Sequence, residues 1–111
     1  MIYMMIEINV ENIPNQMLVN YFNFLVNRIF KILPISEQEP DTLREYLESL
    51  LLELSGSKEL ISELRNDGSF ISLLATLQYF INNDCTHKVY KREVFRCIDI
   101  LKKIQDKYDF R

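Results

Sequence analysis

The sequence predicts an all-α protein: a compact bundle of four to five antiparallel helices preceded by a short extended segment. Three observations carry that expectation. Apolar residues recur at three- and four-residue intervals over most of the chain. Only 2 Gly and 3 Pro interrupt its 111 residues, too few for a turn-rich β protein. The stretches between the periodic runs are short, which favours antiparallel neighbours. The length fits one domain, 1–111, and a hydrophobic content of 48% is enough to build a core.

The first ten residues alternate, with Ile2, Met4, Ile6, Ile8 and Val10 on one side and Tyr3, Met5, Glu7 and Asn9 on the other. Period two reads as a strand, so residues 1–11 are expected to be extended. No second strand follows. The segment is therefore expected to pair with another chain, to lie along the helices, or to fray. The first helix is expected over 14–33, with Pro14 in its opening turn and Pro34 closing its far end. Gln16, Asn20, Asn23, Asn27 and Lys31 form one narrow polar stripe on it. Nearly everything else there is apolar, the mark of a central or interface helix.

The second helix is expected over 40–55, with Asp41 and Glu45 near its positive N-terminal end and Gly56 as its stop. Its core stripe is Leu43, Tyr46, Leu47, Leu50, Leu51 and Leu54. A short third helix follows, N-capped by Ser57, with Leu60, Ile61 and Leu64 inward and Asn66-Asp67-Gly68 ending it. The fourth, over 69–83, contains no charged residue. Phe70, Ile71, Leu73, Leu74, Leu77, Phe80 and Ile81 cover most of it, and Ser69, Ser72, Thr76 and Tyr79 make a narrow polar edge. A charge-free helix belongs at the buried centre of a bundle. The fifth is expected over 88–108, with Val94, Cys97, Ile98, Leu101, Ile104 and Tyr108 inward.

Signals for chemistry are sparse. The net charge of -3 is too mild to imply a membrane surface or a strong nucleic-acid field. No uncharged run reaches the roughly 18 residues of a membrane span. Residues 1–10 carry neither a basic n-region nor a small-residue cleavage site, so a cytoplasmic location is expected. Cys85 and Cys97 read as free thiols, and with the lone His87 they fall short of the four ligands of structural zinc. Gly56 and Gly68 stand alone, so no glycine-rich phosphate loop exists. Glu45 and Glu48, like Glu59 and Glu63, sit one turn apart, a spacing that holds metal in some bundles. The apolar stripes already occupy the inner faces, so these acids read as solvated surface. A Cys85–His87 nucleophile pair is conceivable, but loop residues beside a helix start explain it more cheaply. No catalytic residue, metal or cofactor is predicted. The 13 Ile, 9 Asn and 7 Lys against 1 Ala suggest an AT-rich coding bias, as in a low-GC bacterium, a phage or a mobile element.

Charge distribution says more. Residues 34–69 hold nine acids against three bases, and residues 87–111 hold eight bases against four acids. The molecule is expected to be dipolar. On the last helix Phe95 falls among Lys88, Lys91, Arg92, Asp99 and Lys102; on the second, Leu52 falls on the face of Asp41, Glu45 and Glu48. Single exposed apolar residues are common, and another part of the chain can cover them. The sharper reading makes Phe95 an interface anchor ringed by basic groups. The expected function is a small helical protein-interaction module (an adaptor, inhibitor or accessory subunit) without catalytic activity. Its partner would be another protein or a second copy. The expected partner-binding residues are Phe95, Lys88, Lys91, Arg92 and Lys102 on one helix, and Leu52, Glu45 and Glu48 on another. The alternative is a nucleic-acid-binding accessory protein whose basic helix face neutralises phosphates while its aromatic stacks on a base. Overall acidity and the four acids within that segment weigh against it.

Overall fold

Helices take up nearly all of what the computed structural model describes: the backbone of residues 15–109 and the side chains of 15–61 and 64–107. They are α1 (Asn15–Phe30), α2 (Ile32–Gln38), α3 (Pro40–Leu60), α4 (Ser62–Arg65), α5 (Gly68–Asn82) and α6 (His87–Asp109). The all-α bundle is thus as expected, with α1, α3, α5 and α6 as its four long members and no strand among the described residues. The segment expected to be extended at 1–11, and Tyr108 as an inward residue, lie outside the described residues and side chains.

Cross-helix bonds establish the topology. On α6, Gln105 Nε2 donates to the Val19 carbonyl and to Asn23 Oδ1 of α1, at 2.9 and 2.8 Å, while Phe95 meets Phe30 a few turns away. Hence α1 and α6 run antiparallel. On α3, Tyr46 Oη donates to the Arg28 carbonyl at 2.7 Å and Ser57 meets the Tyr21 hydroxyl, so α1 and α3 are antiparallel as well. Phe80 stacked edge-on against Tyr90, and Arg96 bonded to Ser72, make α5 and α6 antiparallel too. With α3 packed on α5, the four helices close an up-down-up-down ring in which α3 and α6 are parallel and diagonal. The shortest dimension, 22 Å, is two helix diameters. The core lies between the layers: Phe22, Leu25 and Ile29 of α1, Leu47, Leu50 and Leu54 of α3, Phe70, Leu73 and Leu77 of α5, and Val94 and Leu101 of α6 are wholly or almost wholly buried.

Helix ends differ from expectation where packing outvotes local signals. Pro34 does not close a helix; it is the third residue of α2. The Lys31 N–H reaches the Asn27 carbonyl and the Ile35 N–H reaches the Lys31 carbonyl, so winding continues past it. A first-turn residue has no intrahelical N–H partner to lose, and burial of Ile32 and Leu33 holds the turn in place. The break comes at Glu39 (φ −138°, ψ 56°), where Pro40 disfavours a helical conformation of the preceding residue and no buried side chain there offsets it. Gly56 does not stop α3, which runs on to Leu60. Neither glycine adopts positive φ. A helical glycine costs only about 1 kcal/mol, and burial of Leu54 and Ser57 on either side outweighs it.

Ser57 is accordingly no N-cap: it is buried within α3, and its hydroxyl donates to the Glu53 carbonyl. The expected third helix shrinks to the single turn α4, with Leu64 buried but Leu60 exposed. Asp67, expected among terminators, instead starts α5 by accepting the Phe70 N–H at 2.9 Å. Part of the polar edge of α5 also turns inward: Ser72 and Thr76 face α6, while Ser69 and Tyr79 stay exposed. Thr76 is only 8% exposed, and both it and Ser72 accept from the Arg96 guanidinium of α6.

Candidate functional site

The outer face of α6 is set by its wheel. Tyr90, Val94, Cys97, Ile98, Leu101 and Ile104 commit one side to the core, which turns Lys88, Lys91, Arg92, Phe95, Asp99 and Lys102 to solvent. Phe95 is 44% exposed and meets Phe30, 47% exposed, in a T-shaped contact with centroids 6.3 Å apart. The two rings form a half-exposed aromatic ledge at the seam of α6 and α1. Lys88, Lys91 and Lys102 carry no ion pair with described residues. Arg92 is drawn sideways to Glu93, 3.0 Å away, which also accepts from Arg96 at 2.9 Å. Burial works against the Glu93 carboxylate, but Arg96 and Arg92 outweigh it and hold its pKa below the usual carboxylate value. Arg92 therefore stands beside the ledge as half of a pair rather than as a free cation.

Leu52, Glu45 and Glu48 lie on the outer face of α3. Leu52 is 76% exposed and Glu45 is exposed; Glu48 approaches Arg44 at 3.9 Å. Leu52 borders an open groove of about 300 Å³ whose walls also include Leu51, Ser55, Gln78 and Ile81. The structure does not gather the two expected groups into one site. They occupy diagonal corners of the bundle, the basic set on α6 and the acidic set on α3.

The chemistry-bearing candidates disperse in the same way. Both cysteines are free. Burial pushes the Cys97 thiol up to about 11 and also raises Cys85, whose nearest polar partner is the Asn83 carbonyl. His87 Nε2 lies 2.9 Å from Glu37 Oε1 of α2, tying the start of α6 across the end of the bundle rather than activating Cys85. Among the described residues, no group of three or more His, Cys, Asp or Glu side chains could hold a metal ion. No helix among them is long and apolar enough to cross a membrane.

One cluster was not foreseen. Arg28 of α1, 18% exposed, pairs with Glu53 of α3 and lies over the rings of Phe24 and Tyr46 at 5.8 and 5.5 Å. Burial disfavours the guanidinium, but Tyr46 and Glu53 outweigh it and raise its pKa. Burial and the adjacent Glu53 push the Tyr21 hydroxyl upward as well. The signal was present: Arg28 is the one charge in α1, and Glu53 falls beside Tyr46 on the helix wheel. An Arg–Glu–Tyr–Ser cluster thus clamps α1 to α3.

Comparison with known protein families, curated proteins and solved structures gives no match.

Proposed function

We propose that the protein is a small helical interaction module, an adaptor, inhibitor or accessory subunit without catalytic activity of its own, that docks on a protein partner through the outer face of α6. The supporting observation is the Phe95–Phe30 ledge bordered by Lys88, Lys91 and Lys102. A large ring left half in water amid cations matches the aromatic anchor and polar rim of protein interfaces. The same proposal puts the protein in the cytoplasm, where free thiols are the ordinary state of cysteine.

The test is affinity capture with the wild-type protein and a Phe95→Ala variant side by side. The partner retained by the wild type is expected to be lost from a variant whose melting temperature is unchanged within about 3 °C, since the ring is half exposed. Equal retention by both proteins would refute the reading. A mobility-shift titration at low salt covers the nucleic-acid alternative, and no shift is expected at micromolar protein. A shift abolished by Lys88→Glu with Lys91→Glu would replace the protein-docking reading with that one.

A further inference from the structure

The outer faces of α3 and α6 carry matching patterns of opposite sign. On α3 the exposed residues Glu45, Glu48, Leu52 and Glu59 follow one another at intervals of three, four and seven. On α6 the exposed residues Lys88, Lys91, Phe95 and Lys102 follow at the same three intervals. Laid side by side in parallel, the helices set Glu45 against Lys88, Glu48 against Lys91, Leu52 against Phe95 and Glu59 against Lys102. Asp99, the acid within the basic stripe, then falls opposite Gly56, around which a side chain would meet only open space. The antiparallel arrangement centred on Leu52 and Phe95 keeps two opposite-charge pairs, Glu45 with Lys102 and Glu59 with Lys88, but sets Glu48 against Asp99, a like-charge clash. With three attractive pairs and no such clash between the stripes, the parallel direction is favoured.

We infer that the acidic stripe of α3 docks on the basic stripe of α6 of a second copy, with the two helices parallel, so that copies add head to tail. This rests on the proposed reading of the α6 face as a docking surface and names its occupant. The fold makes the geometry available. Within one molecule α3 and α6 already run parallel at diagonal corners, so a neighbour in nearly the same orientation presents the required face. Such a contact is heterologous: each docking leaves one α3 and one α6 stripe free, and growth continues unless rotation closes a ring. One helix laid on another with a single apolar pair at its centre belongs to the smallest class of interface, below about 1,200 Å² in total. Association is therefore weak and governed by charge. Raising the ionic strength from about 0.01 to 1 M, which shortens the Debye length from about 30 to 3 Å, should weaken it at least about tenfold.

The decisive experiment is a charge swap read by sedimentation velocity at low salt. The wild type should form a concentration-dependent series of species. E45K/E48K has two basic stripes and K88E/K91E two acidic ones, so each alone should remain monomeric. Mixed in equal amounts they should associate again in alternation. Helical circular dichroism and a cooperative melt confirm that each variant folds. A wild type that is monomeric at the highest soluble concentration, or variants that associate singly as the wild type does, or a mixture that fails to recover association would overturn the inference. If the wild type is monomeric while capture of another protein still depends on Phe95, the second copy is the wrong occupant and the docking face stands. Loss of Phe95 dependence in capture, with the charge swap intact, leaves self-association as the use of this face.

Discussion

Replacing Asp67 separates what a single carboxylate does at the start of the charge-free helix α5. Its side chain accepts the Phe70 N–H at 2.9 Å at the N-cap, and its second oxygen meets Lys107 Nζ at 3.3 Å. Losing an N-cap acceptor costs about 1 kcal/mol. Losing the negative charge at a helix N-terminus costs about 0.3–1 kcal/mol more. Lys107 is mostly exposed, so its ion pair adds only a few tenths. Asp67→Ala should therefore lose about 2 kcal/mol, and Asp67→Asn, which keeps an acceptor oxygen, about 1 kcal/mol. At about 4 °C per kcal/mol for a chain of this length, thermal melts at pH 7 should fall by about 8 and 4 °C.

The pH dependence has a definite sign. Burial raises the Asp67 pKa, but the Phe70 N–H and Lys107 outweigh it, so the folded value lies below the ordinary one. Its charge-linked stability is present above the unfolded value of 3.8 and is lost as pH falls through the lower folded value. The gap between the wild type and Asp67→Asn should close below about pH 4. Equal destabilisation by Ala and Asn, or a gap that widens in acid, would refute this assignment.

Three further outcomes follow from the packing. Phe22→Ala, at a wholly buried position, should cost about 3–5 kcal/mol in denaturant unfolding, a large share of the stability of a domain this small. Thr76→Val keeps the shape but removes an acceptor from Arg96; it should cost about 1 kcal/mol, because Arg96 retains Glu93 and Ser72 and is partly solvated. Under native conditions a thiol reagent should label Cys85 and spare Cys97, which is 1% exposed and pushed up to about 11; denaturant should make both reactive.

The bundle was legible because its strongest signals are whole-helix properties. A charge-free α5 has no stable place except against other helices, and the stripe Leu43, Leu47, Leu50, Leu54 leaves α3 one inward face. Helix ends were not legible, because Pro34 and Gly56 are ambiguous locally. Either can sit within a helix when neighbouring side chains are buried, and only the fold shows that Leu33 and Ser57 are. The wheel of α6 placed Phe95 on the polar face, but nothing in sequence joined it to Phe30, because that contact depends on how α1 lies against α6. The inward turn of Thr76 escaped notice for a related reason. A hydroxyl looks like surface until an arginine from another helix supplies its bond.

The matching stripes of α3 and α6 can be tested residue by residue by following backbone amide resonances through a dilution series at low salt. As concentration rises, amides within 41–59 and 88–102 should shift together with one apparent constant, while those of Phe22, Leu25 and Leu73 stay fixed. Resonances that hold still at every concentration, or that move on one helix alone, would contradict the pairing.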